Sequence, residues 1–512
     1  MASIRLVTGF LTVGFWTLAS RVLGFVRDIL IAAFLGAGPV AEAFLVAFAL
    51  PNMFRRFFAE GAFNMAFVPM FSKRYEQQDG AHRFASDAFS GLAAVLVVFT
   101  LLAQLAMPLL VLAMAAGFAA DERLGIAVDY GRIAFPYILF VSLAALLSGV
   151  LNATGRFTAA AAAPLLLNLC FILALMLSDH RGWPAGDALA WAVPVAGVAQ
   201  LAFLWVAAAR AGFPIVPRRP RLTPEIRRLA IIAMPAMLAG GVMQVNLLVG
   251  RQVASFFDGA IAWLSYADRL YQLPLGVVGI AIGVVLLPDL SRRLQRGDTE
   301  GGRYSLNRAA EFAMALSIPS AVALAVIAEP LVSVLFERGR FGPQDTVGTA
   351  MAVAVYGLGL PAFVLQKVLQ PLFFAREDTK SPFYYALVAL AVNAVIAVGL
   401  APFLGFIAAA IGTTIAGWAM VFQLWFGSRA MGAAASPDAR FLSRIGRIVL
   451  AALIMGLCVR LGAHLMADWL AAPGQRYGAL GALVGFGIIS YFGSGALIGA
   501  FRLADFRSAL RR

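Results

Sequence analysis

The chain is poor in charge and poorer still in acid: 13% of its 512 residues are charged, with 26 Asp and Glu against 40 Lys and Arg. A water-soluble chain of this length needs far more polar surface to cover its core, which excludes a soluble fold. Histidine and cysteine are scarce too, at three and two residues. His82, His180 and His464 lie far apart without ligand spacing, and no metal role follows for them. Cys170 and Cys458 both fall in apolar runs and read as packing residues rather than a disulfide. Phosphate-cradling glycine loops, zinc motifs and nucleophile elbows are absent. A membrane glycosyltransferase or polymerase would need a carboxylate or other base in a sizeable loop outside the membrane. The acids Asp121, Glu122, Asp179, Asp258, Glu337 and Asp345 instead sit in short loops and form no catalytic pair. Neither an enzyme nor a bound cofactor is expected.

What the chain has is apolar sequence along its whole length, 62% of residues, with a mean hydropathy of +0.86. The runs are continuous and about 20 residues long, the signature of membrane-spanning helices rather than of a barrel. The expected fold is an all-α integral membrane protein of fourteen transmembrane helices. They fall at about 6–34, 40–71, 84–116, 125–152, 159–178, 187–210, 226–256, 262–290, 304–330, 345–375, 381–401, 404–429, 443–467 and 477–502. Pro51, Pro235, Pro274 and Pro361 are kink sites, each freeing a carbonyl within its helix.

A pI near 10.4 in a soluble chain would point to nucleic acid, but here most basic residues lie between spans, where they set topology. Alternate loops carry 26 Lys and Arg on one side and five on the other: Arg123, Arg181, Arg338, Arg340 and Arg476. The positive-inside rule then places both termini in the cytoplasm.

Two halves of the chain echo each other. Pro69-Met-Phe-Ser-Lys-Arg74 resembles Pro288-Asp-Leu-Ser-Arg-Arg293, and Gly117-Phe118 resembles Arg340-Phe341. Pro136 and Pro361 follow in order, then Ala153-Thr-Gly-Arg-Phe-Thr158 against Ala375-Arg-Glu-Asp-Thr379, and Pro164 against Pro382. The offsets of about 218–225 residues equal six spans, an even number, so both copies share one orientation. This predicts six-helix bundles at 1–220 and 221–435, related by a pseudo-twofold along the membrane normal, with residues 436–512 forming a two-helix appendage.

Within spans, the rare charges cluster. Ser20, Arg21, Gly24, Arg27 and Asp28 fall within a sector of roughly 120° on one helix. The second span adds Glu42, Asn52, Arg55, Arg56 and Glu60; Arg251 lies in the seventh, and Asp268-Arg269 in the eighth. A charge at the bilayer centre costs about 2.5–3.5 kcal/mol unless it meets water, a counter-ion or a ligand. These arginines could pair internally, Arg27 with Asp28 or Glu42 and Arg269 with Asp268. They outnumber such partners, and a surplus of guanidinium in a low-dielectric cavity suits a phosphate or pyrophosphate gripped bidentately. A multidrug exporter of cations would need acids there instead. Gly240-Gly241 in the seventh span and Arg338 with Arg340 in a short loop are candidate gate elements, with small-residue packing and a solvated turn as the plainer alternatives. Asn393, Thr413 and Thr414 could line a cation site, but ordinary interhelical hydrogen bonding is the simpler account.

Ser20-Arg-Val-Leu-Gly-Phe-Val-Arg-Asp28, Leu50-Pro-Asn-Met-Phe-Arg-Arg56 with Phe58-Ala-Glu-Gly-Ala-Phe63, and Tyr266-Ala-Asp-Arg-Leu270 resemble the MurJ (MviN) family of lipid II flippases, within the MOP exporter superfamily. The resemblance covers essentially the whole chain. It implies movement of undecaprenyl-pyrophosphate-linked disaccharide-pentapeptide from the cytoplasmic to the periplasmic leaflet for peptidoglycan synthesis. The family's cavity arginines then correspond to Arg21, Arg27, Arg55 and Arg269, with Ser20, Asp28 and Asn52 beside them. Glu42, Glu60 and Asp268 would supply supporting ion pairs. Spans 13 and 14 resemble the pair that forms a groove for the polyprenyl tail. Glu42 departs from the aspartate common in the family, and the seventh span is poor in the acid that would hold a coupling cation. Membrane potential is the expected driver, at about 2.3 kcal/mol per charge per 100 mV across the full field. Lipid II, membrane lipids and cell-wall synthesis proteins are the partners implied, and nucleic acid is not. A flippase for another polyprenyl-pyrophosphate oligosaccharide is the alternative.

Overall fold

The protein is described from a computed structural model covering residues 2–55, 58 and 62–500, with side chains left undescribed at 2–11, 62, 65, 235–247, 277, 279–288, 294–295 and 433–434. The described chain is helical, apart from short connections and one isolated bridge between Arg338 and Phe341. The first helices are α1 (Ala2–Leu35), α2 (Pro39–Arg55), α3 (Ala62–Glu76), α4 (Ala81–Leu105) and α5 (Met107–Met114). They continue with α6 (Arg123–Ala134), α7 (Tyr137–Ala153), α8 (Phe157–Arg181), α9 (Ala185–Arg210) and α10 (Pro224–Ala254). Then come α11 (Ala260–Gln295), α12 (Thr299–Val326), α13 (Ala328–Phe336), α14 (Pro343–Phe374), α15 (Lys380–Leu404) and α16 (Ile407–Ser428). The chain closes with α17 (Ala439–Leu465), α18 (Ala467–Ala471) and α19 (Arg476–Ile498).

Ten helical stretches among the described residues are long and apolar enough to cross a membrane. Their outward faces carry large apolar residues at high exposure, such as Leu105, Leu457 and Leu497, as expected where lipid rather than water is the solvent. The four expected spans outside those ten are the first, second, seventh and eighth, which carry the clustered arginines. Of these, α1, α10 and α11 run 34, 31 and 36 residues, longer than the roughly 20 that span a bilayer.

Some expected single spans are broken among the described residues. The helix before Pro108 ends at Leu105, and α6 stops one residue before Phe135-Pro136. Proline removes an N–H and crowds the preceding turn, so each break falls where the ladder is already interrupted. Pro361, which echoes Pro136 in sequence, sits inside an unbroken α14. The same residue type falls at the break of one helix and within the continuous run of another.

Packing divides the chain into two compact units: Met1–Ala262 with Arg338–Phe341, and Trp263–Glu337 with Gly342–Arg512. In the first, α1 packs on α8, α2 on α6, α7 on α9 and α10 on α3. In the second, α14 lies between α12 and α16, α15 pairs with α16, and α17 joins α12 to α19.

Helix approach is set by small residues. Gly348 on α14 lies flat against the Trp263 indole, where an added Cβ would come within 2.6 Å of Cδ2. That indole donates to Asp345 at 2.9 Å. Gly348→Val is expected to expel the ring, break this bond and destabilise the protein by about 1–3 kcal/mol, read as a lower unfolding temperature in detergent.

Candidate functional site

The polar face of α1 meets α8. Arg27 is 8% exposed, and three of its five N–H donors are committed: Nε and Nη2 donate to Asp28 Oδ1 at 2.9 and 2.7 Å, and Nη1 donates to Asn168 Oδ1 at 2.8 Å. Asn168 Nδ2 in turn donates to the Ser20 carbonyl at 3.0 Å and to Ser20 Oγ at 3.4 Å. That second bond fixes which way the amide points, so its oxygen faces the guanidinium. Gly24 lies beside this amide, where an added Cβ would make an ordinary contact with Asn168 Nδ2 at 3.5 Å. The Phe171 ring lies 5.6 Å from Arg27 Cζ, adding a cation–π contact on α8. This buried cation is thus held by one carboxylate, one amide and one ring face. Arg21, also on the polar face of α1, is exposed.

Sequence reasoning placed Ser20, Gly24, Arg27 and Asp28 together but missed Asn168 and Phe171. An asparagine within an otherwise apolar helix was the available signal. Of the two acids offered to Arg27, only Asp28 takes it. Glu42, 1% exposed, accepts instead from Arg123 Nη1 at 2.8 Å and from the Ile261 backbone N–H, in the first turn of α11, at 3.0 Å. Arg123 had counted only as a loop charge. It is 5% exposed, forks onto Asp121, lies 3.4 Å from an Asp258 carboxylate oxygen and stacks 4.5 Å over Phe118. From this position the glutamate carboxylate meets both Arg123 and Ile261. An equivalent tie occurs in the second unit: Trp263 and Asp345 lie 221 and 222 residues after Glu42 and Arg123.

Arg338 and Arg340 flank Gly339 in a tight turn docked on the end of α1. The Arg340 N–H donates to Ala33 O at 2.8 Å. Gly36 (φ +64°) and Gly339 (φ +58°) face this contact, and a Cβ on either would lie within 2.5 Å of the opposing carbonyl. Phe341 is buried beneath the turn, while Gly339 and Arg340 are exposed. At Gly117-Phe118, whose sequence Arg340-Phe341 echoes, the Gly117 N–H donates to Ser255 Oγ at 2.9 Å and the Ala116 N–H to Gln252 Oε1 at 2.8 Å.

The remaining predicted residues are separate. Asn52 donates to the Phe48 carbonyl of its own helix at 2.8 Å, beside Pro51, and Arg55 closes α2 half-buried. In the second unit Asp268 accepts from Gln272, and Arg269 is exposed. Thr414 donates to the Val355 carbonyl of α14, an ordinary interhelical bond. Glu60 and Arg56 lie outside the described residues, and Gly240 and Gly241 lie in the part of α10 whose side chains are not described. No group of three or more His, Cys, Asp and Glu able to hold a metal occurs among the described residues.

Hydrogen bonding to Arg123 holds the Asp121 carboxyl below the usual carboxylate range. A depressed pKa stabilises the fold above the unfolded group's pKa, and that contribution is lost as pH falls through the folded value. Unfolding temperature is therefore expected to hold from neutrality to about pH 5 and to fall below about pH 4, with Asp121→Asn flattening this acid limb. Arg123→Ala leaves the Glu42 carboxylate buried without its cation and is expected to destabilise by about 3–5 kcal/mol at pH 7, while Glu42→Gln combined with Arg123→Ala recovers part of the loss.

A sequence profile described as "Lipid II flippase MurJ" matches residues 31–472. A "Probable lipid II flippase MurJ" of Rhizobium meliloti (strain 1021) is 44% identical, over 99% of this chain and 97% of its own. The "Lipid II flippase MurJ" of Burkholderia cenocepacia is 35% identical, over 98% and 99%. Among solved structures, "Lipid II flippase MurJ, inward closed conformation" superposes with a TM-score of 0.79 at 24% identity, covering 98% of this chain and 99% of that one. An inward-facing multidrug resistance MATE family transporter of the MOP superfamily gives 0.66 at 15% identity, covering 81% and 95%. The helical packing built around Arg27 and Asn168 thus shares its fold with these two structures, and the chain belongs to the MurJ family.

Proposed function

We propose that this protein flips lipid II, carrying the pyrophosphate-linked disaccharide-pentapeptide from the cytoplasmic to the periplasmic leaflet of the bacterial inner membrane by alternating access. Such a headgroup does not cross hydrocarbon unaided, because its charges and polar groups would lose water without replacement. Guanidinium groups at bilayer depth replace that water and take phosphate oxygens in pairs. The polyprenyl tail stays in lipid or along an apolar groove on α17 and α19. The observation that carries this reading is the held Arg27. Asp28 and Asn168 occupy three of its donors and keep the cation solvated when no anion is present, and a pyrophosphate would compete with Asp28 for the same fork.

Arg21, Arg55 and Arg269, with Ser20 and Asn52, complete the proposed headgroup set, and Asp28, Glu60 and Asp268 support it, whereas Glu42 is tied to Arg123 instead. The architecture proposed is fourteen spans: bundles at 1–220 and 221–435, helices 13 and 14 at 436–512, and both termini cytoplasmic. The bundles follow the duplicated order of the sequence, whereas the two compact units follow packing. The matched ties at Glu42–Arg123 and Trp263–Asp345 support the duplication. The backbone clips at Gly36–Arg340 and Gly117–Ser255 support a gate at one end of the pathway, with Arg338 and Arg340 in it. Gly240 and Gly241 remain proposed flexing points.

In a bacterium depleted of its own lipid II flippase, this protein is expected to restore periplasmic exposure of lipid II. Arg27→Ala and Arg269→Ala, expressed in the membrane at equal levels, are expected to lose at least about tenfold, one guanidinium–phosphate contact being worth roughly 1.5–3 kcal/mol. Active variants would make these arginines structural, and failure of the expressed wild type would move the assignment to another polyprenyl-linked substrate.

A further inference from the structure

The first turn of α17 is bound to α12 by a polar network that the headgroup reading does not use. Glu311, buried on α12, accepts from Arg308, from Arg444 and, at 3.3 Å, from Arg440 Nη2. Arg308 also reaches Asp438, the N-cap of α17, whose carboxylate accepts the Phe441 N–H at 2.6 Å. The Asp438 N–H donates to Asn307 Oδ1 at 2.9 Å, and Asn307 Nδ2 donates to the Ser436 carbonyl at 3.1 Å. Arg303 closes the set on the Ser436 and Pro437 carbonyls at 3.2 and 3.0 Å. Farther along the pair, Gly456 meets Val322 so closely that a Cβ would lie 2.6 Å from Cγ1, and Tyr491 of α19 donates to the Ala315 carbonyl at 2.6 Å.

From Arg444 to Gly456 is 12 residues and from Glu311 to Val322 is 11, so the two helices run parallel in one register. Apolar packing alone tolerates sliding by a turn, because the surfaces offer similar side chains at every step. A buried carboxylate that must collect arginines does not tolerate it, since any slip strands a charge in low dielectric. Buried ionic groups add little net stability compared with apolar replacements, and their best-attested use is to fix register.

We propose that Glu311 is a positioning residue for the lipid tail. By locking the axial register of α17 on α12, it sets the alignment of the apolar face of α17 and α19 along which a polyprenyl chain lies. The proposal rests on the tail groove in the reading above. It separates tail recognition, fixed through Glu311 and Asn307, from headgroup recognition, fixed through Arg27.

The test is binding of two ligands with one headgroup to the purified full-length protein in nanodiscs: undecaprenyl pyrophosphate and the short-tailed farnesyl pyrophosphate. Glu311→Gln is expected to raise the Kd for the long-tailed ligand about tenfold and to leave the short-tailed one within twofold. Asn307→Ala, which strands no buried carboxylate, is expected to show the same split more weakly. Arg27→Ala is expected to weaken both ligands alike. Equal weakening of both ligands by Glu311→Gln, or no weakening of either, overturns the proposal. A wild type that binds both equally well also overturns it, because no tail recognition would then exist to position. Arg27→Ala without effect would instead overturn the headgroup reading and leave the tail split standing on its own result.

Discussion

A buried guanidinium is tolerable only while something answers its charge, and much of this structure is arranged around that requirement. Arg27 is met by Asp28, Asn168 and the Phe171 ring, and these partners dictate how α1 packs on α8. Ser20 turns the amide so that its oxygen, not its nitrogen, faces the cation. Each of these residues looks minor in isolation. Together they let a chain of 62% apolar residues keep a cation where its proposed ligand would arrive.

The same rule operates elsewhere with different consequences. Around Arg123 the charges are gathered from α2, from the turn before α6 and from the turn before α11, so the ion pair joins separate parts of one unit. Around Glu311 the imbalance is reversed: one buried carboxylate answers three arginines and fixes a helix register. Where close approach rather than charge is needed, glycine takes over. Gly36 and Gly339 let two backbones touch, and Gly348 and Gly456 let a ring and a valine seat against a helix. Apolar burial supplies the bulk of the packing between these points but discriminates weakly among registers, since lipid tails are as apolar as the side chains.

Much of this was legible in the sequence. Continuous apolar runs gave the helical membrane class, because hydrocarbon admits only structures whose backbone bonds are met internally. The 3.6-residue period put Ser20, Gly24, Arg27 and Asp28 on one face, and the long motifs carried the family. Less was legible about breaks. Pro136 ends a helix while Pro361 does not, although both read alike, since the neighbours that accept a freed carbonyl are chosen by packing.

Composition, helical period and motif were therefore determined by the chain itself: an all-helical membrane protein of the MurJ family with a cationic face on α1. Tertiary structure alone decided the partners. Asn168 is 141 residues from Arg27, and Arg123 is 81 from Glu42, separations across which no local period operates. Which acid answers which arginine depends on where helices touch. Glu42 was an equal candidate for Arg27 until packing set it beside Arg123, because a short-range charge contact is won by distance and not by sequence order.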